Sequence, residues 1–212
     1  MPTMPTKLAF AFTSLWLLPG AALAADACEQ RANFMERAIC DRPAVRARDE
    51  VMTTLYRSAL RTRGAIVARM RQRRWLDMAL GCRNMECLTS RYDQRIGDLM
   101  RGDAGRGLVR HYISVSPDTS GDLYVFLHDG WLTYDATQTV VGPRGEAQGD
   151  VDAASLGGTA RLVGPIAREA KPSPVGCTAI LQHNRDGSWS MGTRHCFDGA
   201  GADLNVRFAP RR

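Results

Sequence analysis

Apolar residues recur at helical spacing through the first half of the chain and at strand spacing through the second half. Val45, Met52, Leu55 and Ala59 lie seven, three and four residues apart, which is the repeat of one helix face. Similar repeats predict four helices, over about 29–39, 43–62, 65–80 and 86–100. The short connections between them make neighbouring helices antiparallel.

The second half alternates apolar and polar residues in short runs that are separated by turn residues. The clearest turn is Asp129-Gly130, a strong two-residue hairpin signal. The predicted strands cover 109–116, 123–128, 131–134, 159–163, 177–184, 189–197 and 204–208. Residues 146–156 show no clear pattern, and we expect a long loop there. The fold class is therefore α+β, a four-helix unit followed by a small antiparallel β barrel or sandwich.

The composition changes at a glycine-rich stretch, 101–107, which we interpret as a linker. It separates a predicted helical domain at 26–100 from a predicted antiparallel β domain at 108–212.

The first 24 residues are typical of a secretory signal peptide. Lys7 precedes a short apolar run, and Ala22-Leu23-Ala24 is a cleavage site of the A-x-A type. The alternative is a retained N-terminal anchor. Cleavage leaves no later apolar run of membrane-spanning length, so the sequence predicts a periplasmic or secreted protein without a transmembrane segment.

All six cysteines follow this segment, and an even number in an exported chain predicts three disulfides rather than a zinc site. The cysteines are Cys28, Cys40, Cys82, Cys87, Cys177 and Cys196. In an antiparallel helical unit, the end of the first helix meets the 82–87 loop. We therefore expect Cys40 to pair with Cys82 or Cys87, and Cys28 to pair with the other.

The last two cysteines flank a predicted hairpin with Asp186-Gly187 in its turn. If a four-residue turn places Asn184 opposite Trp189, the same ladder places Cys177 opposite Cys196. Opposed residues lie close enough for a disulfide. His195 should then face the other side of the strand and take no part in thiol chemistry.

The net charge of +6 comes almost entirely from the first half of the chain, where residues 26–100 hold fifteen arginines and ten acidic residues. Most of these arginines are expected on solvated helix faces. An exported chain seldom meets nucleic acid, and no aromatic platform for bases accompanies the basic stretch 61–74. Anionic envelope polymers and lipid head groups are better matched partners.

No pattern for catalysis is present: the chain has no GxSxG, HExxH, phosphate-loop or GxGxxG motif. The four histidines all lie in the second half. The sequence therefore predicts a protein that is not an enzyme and that has no cofactor or metal site.

Several clusters in the first half carry the spacing of one family. They include an E-x-x-I-C pattern that ends at Cys40, a Q-x-x-W-L pattern, and a C-x(n)-C-L-x(3)-Y-x(2)-R-I-x(2)-L ending. With these residues the segment 28–99 resembles the N-terminal domain of LprI-type lysozyme inhibitors, although Arg48 stands where that family has an apolar residue. The shared positions are Glu36, Ile39, Asp49, Tyr56, Gln72, Trp75, Leu76, Tyr92, Arg95 and Ile96.

The resemblance implies an envelope protein that binds and inhibits a lysozyme, with a basic side chain such as arginine blocking a cleft that holds two carboxylates. Animal lysozymes are basic, so the neutral second half or the acidic stretch 146–152 would supply the contact. The alternative is a non-inhibitory module whose partner is a wall polymer, a lipid or an exported toxin. We expect the aromatic motif residues in the helical core, and Gln72 and Arg95 to pair with buried carbonyls or Asp49. The predicted core comprises Phe34, Ile39, Leu55, Tyr56, Trp75, Leu76, Tyr92 and Ile96.

Overall fold

The computed structural model describes residues 28, 32–115, 119–141, 144, 151–170, 177–196 and 205–211. The predicted signal peptide, 1–24, and residues 146–150 of the acidic stretch lie outside these ranges. The described residues from 32 onward belong to one compact unit.

Four α-helices are present in the described part of the chain, as the sequence predicts. They are α1 (Phe34–Asp41), α2 (Pro43–Ala59), α3 (Ala65–Leu80) and α4 (Met85–Arg101), followed by a 3-10 turn at Asp103–Gly105. The side chain of Asn33 accepts a hydrogen bond from the backbone N–H of Glu36, and the side chain of Asn84 accepts one from Cys87. These caps satisfy backbone donors that a helix start leaves without partners.

Eight antiparallel strands form a closed barrel, so the barrel, and not the sandwich, is the second layer of the fold. Each strand pairs with the next along the chain, and β1 pairs with β8 to close the cylinder. The strands are β1 (Arg110–Ser114), β2 (Thr119–His128), β3 (Trp131–Val141), β4 (Val151–Val163), β5 (Ile166–Ala170), β6 (Thr178–His183), β7 (Trp189–Arg194) and β8 (Asn205–Pro210).

Two strands differ from the sequence prediction. The long loop predicted at 146–156 is wrong from residue 151 onward, because β4 begins at Val151 and pairs with β3 along its length. β5 was not predicted at all. Both segments are rich in alanine or glycine, which have low strand propensity, and the neighbouring strands hold them in place.

The inside of the barrel is filled with side chains. Strand alternation points Leu123 and Val125 of β2 inward, and it points Tyr124 and Phe126 outward against the helices. The inner core includes Tyr112, Leu123, Val125, Leu132, Tyr134, Ala136, Ala160, Leu181, Trp189, Met191 and Phe208. α2 and α4 pack against the outer face of β3 and β4.

The predicted disulfide between Cys177 and Cys196 is confirmed, with Cα atoms 4.4 Å apart. The predicted register is wrong by one residue, because His183 and not Asn184 lies opposite Trp189. Gly187 adopts a left-handed conformation (φ 79°) and its N–H donates to the carbonyl of Asn184, which shortens the loop to three residues.

The cysteines still meet because one extra residue follows β7 at the other end of the ladder. His195 has a φ of 55°, directly after β7 ends at Arg194. An extra residue of this kind is a bulge, and it returns Cys196 to a place opposite Cys177. The side chain of His195 is exposed.

A second disulfide joins Cys82 and Cys87, with Cα atoms 5.6 Å apart. The prediction that Cys40 pairs with one of them, and Cys28 with the other, is therefore wrong. It assumed that both cysteines of this connection face another helix. The turn between α3 and α4 is so short that they face each other instead.

Candidate functional site: the helix–barrel junction and the exposed face of α3

Four buried polar side chains join the helices to the barrel. Arg48 of α2 donates from Nε to Asp93 Oδ1 of α4 at 2.8 Å, and its Nη2 forms an ion pair with Glu169 of β5. The hydroxyl of Tyr134, inside the barrel, donates to the other oxygen of Glu169 at 2.8 Å. All four residues are less than a tenth exposed, so the charges are paired out of water.

The barrel wall is open where Arg48 reaches Glu169. β4 and β5 share only two residue pairs, Leu162 with Ala167 and Val163 with Ile166. Beyond them the two strands diverge. Glu169 therefore lies at a gap in the sheet, and the guanidinium of Arg48 reaches its carboxylate there.

Burial opposes the charge on Arg48, but the carboxylates of Asp93 and Glu169 outweigh it and raise the pKa of the guanidinium. Burial and the charge of Glu169 raise the pKa of Tyr134 well above its ordinary value. Tyr134 therefore remains a hydroxyl donor and Arg48 remains a cation. The cluster therefore links the helices to the barrel through permanent charges and hydrogen bonds.

Glycine allows the helices and the cluster to approach the sheet. A Cβ at Gly158 would overlap Glu169 Oε2 and would lie 2.7 Å from the hydroxyl of Tyr134. On α4, a Cβ at Gly97 would overlap the carboxylate of Asp135 on β3. That carboxylate forms an ion pair with Arg101, which also binds Asp98 at 3.0 Å.

Most of the ten residues at the motif positions named in the sequence analysis contribute to the inside of the helical part. Tyr92 donates to Asp49 Oδ1 at 2.9 Å, and its ring meets the indole of Trp75 edge to face at 5.1 Å. Trp75 Nε1 donates to the carbonyl of Arg91 at 2.9 Å. Arg95 Nε donates to Gln72 Oε1 at 3.1 Å, so these two pair with each other and not with Asp49.

The remaining motif residues divide between core and surface. Ile96 is buried, Ile39 and Tyr56 are half-buried, and Glu36 is an exposed member of the cap at the start of α1. Leu76 is 40% exposed, so its predicted burial is wrong. Of the other predicted core residues, Leu55, Trp75 and Tyr92 are buried and Phe34 is half-buried.

Leu76 is exposed because α3 touches the protein along a narrow stripe. Ala68, Trp75 and Ala79 are its buried residues. Opposite them, Ile66 is 71% exposed and Met70 is 65% exposed, one helical turn apart. The exposed apolar side chains of this helix are Ile66, Val67, Met70, Leu76, Met78 and Leu80.

Arginines surround these apolar residues. α3 holds four exposed arginines and one acidic residue, Asp77. With Arg61, Arg63 and Arg83 in the adjoining turns, the segment 61–83 has seven arginines against that single acid. We call the exposed surface of α3, formed by its exposed apolar side chains with Arg69, Arg71, Arg73 and Arg74, the α3 face.

An acidic cleft of about 420 Å³ lies on another side of the molecule, between α4 and the strands β3 and β4. Its lining includes four carboxylates and one guanidinium, that of Arg101. Glu86 is exposed, Asp98 is exposed and paired with Arg101, and Asp93 and Asp135 are buried and paired with arginines. Serine, threonine and glutamine side chains also line it. The cleft is therefore an acidic concavity on a basic protein.

Sequence reasoning missed Arg48 and Glu169 as a pair. The signal for Arg48 was its place on the apolar face of α2, three residues after Val45 and four before Met52. A charge at a core position implies a buried partner. Glu169 gave no signal, because its strand was not predicted.

Within the described residues, no group of three or more histidine, cysteine or carboxylate side chains is placed to hold a metal ion. None of the helices in those ranges combines the length and apolarity that crossing a membrane requires. Comparisons with protein-family models, with curated proteins and with solved structures found no match for this chain.

Proposed function

We propose that this chain is an exported protein of the cell envelope that acts by binding, and that the α3 face attaches it to an anionic bilayer. The observation that carries the proposal is the exposure of Ile66 and Met70 among arginines. Large apolar side chains that cluster on a surface mark an interaction site. The predicted leader and the disulfides support an address outside the cytoplasm.

The chemistry of the α3 face favours a lipid surface over a wall polymer. Arginines alone would serve for phosphate or carboxylate groups on either partner. A polysaccharide offers nothing to Ile66 and Met70, whereas a bilayer buries such side chains at the level of its acyl chains. Arginine stems lie along the apolar boundary while their guanidinium groups stay in the head-group layer.

Vesicle co-sedimentation tests the charge part of this proposal. The exported protein should bind vesicles of phosphatidylglycerol and phosphatidylcholine, should bind pure phosphatidylcholine weakly, and should be released by salt. Replacing Arg73 and Arg74 with glutamine should weaken binding about thirtyfold, since each arginine near an anionic surface is worth about 1 kcal/mol. The control replaces Arg185 and Arg194, two exposed arginines of the barrel, in the same way.

Two results would refute the attachment. One is equal binding to neutral and anionic vesicles. The other is an equal loss of binding in the α3 variant and in the barrel control.

Lysozyme inhibition is the second candidate function, and the acidic cleft favours it. A basic lysozyme is repelled by the α3 face but attracted by the cleft between α4 and the barrel, whose lining holds four carboxylates and one arginine. A cationic side chain of the partner would pair with the exposed Glu86 and would compete with Arg101 for Asp98. This contact uses a different side of the molecule from the lipid contact.

A peptidoglycan lysis assay separates the two candidates. Inhibition by the cleft predicts that the protein slows lysozyme, and that the double substitution Glu86→Gln and Asp98→Asn removes the effect. Arg73→Gln with Arg74→Gln should leave it intact. Undiminished lysis at a large molar excess of the protein would rule out the inhibitor role.

A further inference from the structure

The barrel is packed in its middle and open at one end. Inward-facing positions continue toward this end beyond the packed layer. The next inward-facing residue beyond Tyr112 on β1 is Arg110, and the next beyond Val125 on β2 is Leu127. At this end the turns β4–β5 and β6–β7, with the ends of β1, β2 and β8, surround a cavity of about 810 Å³. This volume is in the range of small-molecule sites, and barrel mouths are a common place for them. We call it the barrel mouth.

The wall of the barrel mouth is apolar on one part and cationic on another. Leu108, Leu127 and Leu162 contribute apolar surface, and Leu127 is about half exposed although it faces inward. Arg110 and Arg211 are exposed arginines among the residues that line it. Arg110 is in the inward register of β1, and Arg211 lies at the rim beside the outward-facing His111. No carboxylate is among the described residues that line it.

Arg211 is held in place at the rim. Its Nη1 donates to His111 Nδ1 at 3.3 Å, and its backbone N–H donates to the carbonyl of His111. The imidazole stacks on Tyr124 at 4.4 Å and contacts Asp122 through Nε2 at 2.5 Å. A guanidinium ordered in this way is ready to meet an anion at low conformational cost.

The floor of the barrel mouth contains a donor without a partner. Trp189 lines the mouth and is 2% exposed, and its indole Nε1–H makes no hydrogen bond to the described residues. A buried donor normally has an acceptor. This atom is closed to solvent, so a bound molecule would meet the indole ring at the floor of the mouth and not this donor.

We propose that the barrel mouth binds one molecule of an anionic amphiphile, a short acyl or alkyl chain that ends in a carboxylate or a phosphate. The apolar wall takes the chain, and Arg110 and Arg211 take the head group by charge-assisted hydrogen bonds. The absence of carboxylates from the described lining selects against cations. This site goes beyond the bilayer attachment proposed for the α3 face, and it uses none of the same residues.

Isothermal titration calorimetry of the exported protein tests the site with decanoate and decyl phosphate, each below its micelle concentration. One equivalent of anion should bind, and decyltrimethylammonium should bind at least tenfold more weakly. Tryptophan emission should change in the same titration, because Trp189 lines the mouth. The tighter of the two anions identifies the head group as a carboxylate or a phosphate.

Two variants place the binding at the mouth. Arg110→Gln with Arg211→Gln should weaken the anions about tenfold or more without weakening the cation. Leu127→Glu should do the same by placing a carboxylate in the wall, while Ile113→Glu, an exposed position on the outer face of β1, should not. Circular dichroism establishes whether each variant is folded. If Leu127→Glu does not fold, the test rests on the variant in which Arg110 and Arg211 are replaced by glutamine.

The proposal is overturned if neither anion binds, if the cation binds as tightly as the anions, or if Ile113→Glu acts like Leu127→Glu. Vesicle binding by the α3 face is measured separately with the Arg73 and Arg74 variant. Failure of one site is therefore distinguishable from failure of the other.

Discussion

Arg48 of α2 and Glu169 of β5 form a buried ion pair across the boundary between the helices and the barrel. They are 121 residues apart in sequence. Asp93 and Tyr134 complete the hydrogen bonding of the two groups. Because each charge is satisfied only when helices and barrel are both folded, the pair couples the two parts.

We expect Arg48→Met to lower the free energy of unfolding by about 3–5 kcal/mol, because it leaves Asp93 and Glu169 buried without their cation. Urea unfolding followed by circular dichroism measures the change. The control is Arg168→Met, at the exposed neighbour of Glu169 on β5. A loss below about 1 kcal/mol would mean that the pair is not held out of water.

Gly158→Ala should also destabilise the protein, by about 1–3 kcal/mol, because the new methyl group overlaps the carboxylate of Glu169. Gly157→Ala is the matched control, since its Cβ would meet the carbonyl oxygen of Asp93 at 3.4 Å, an ordinary contact. Thermal unfolding of the two variants side by side gives the comparison. Equal melting temperatures would contradict the packing described at the β4–β5 gap.

The helices were predictable because their apolar residues repeat on one face and their ends carry recognisable signals. Trp75 and Tyr92 followed from that repeat. Leu76 did not, because an apolar residue on an exposed helix face has the same sequence spacing as one in the core. Only the contacts of α3 distinguish the two.

The barrel was predictable as a class but not in its details. The disulfide of the β6–β7 hairpin followed from spacing, but its register depended on the conformation of Gly187, which the Asp-Gly pair alone does not fix. β5 was missed because Ala167 and Ala170 carry no strand preference, and because a charged residue at an inward position, Glu169, breaks the apolar pattern of a buried strand face. Contacts distant in sequence decide such positions.

Asp49 should make stability depend on pH. Burial raises the pKa of this carboxyl, and the hydrogen bond from Tyr92 only partly opposes that. The folded state therefore holds its proton more tightly than the unfolded chain, so the penalty for the buried charge grows as pH rises past the ordinary pKa of about 3.9. Asp49→Asn should be more stable than the wild type at pH 7, and this advantage should shrink as pH falls through the raised pKa. Urea unfolding at pH 7, 5 and 4 measures it, and a gap that widens on acidification would contradict the burial of Asp49.

The two described disulfides should differ in their effect on stability. Cys177–Cys196 closes a loop with a separation of 19 residues, and Cys82–Cys87 one of 5. In the chain-entropy picture, replacing both cysteines by serine should cost about 3 kcal/mol for the first pair and about 2 kcal/mol for the second. Chemical unfolding of the two double variants tests the order. A larger cost for the short loop would show that the disulfides stabilise chiefly in another way.

The central claim is that the α3 face inserts apolar side chains into an anionic bilayer, and one matched pair of variants tests it most directly. Ile66 and Val163 are 71% and 73% exposed, on α3 and on the barrel. The measurement is the partition coefficient of Ile66→Ser and Val163→Ser onto phosphatidylglycerol-containing vesicles at fixed salt. We expect Ile66→Ser to weaken partitioning about tenfold or more, since burial of such a side chain is worth about 1.5–3 kcal/mol, and Val163→Ser to match the wild type. Equal partitioning of Ile66→Ser and the wild type would contradict the claim.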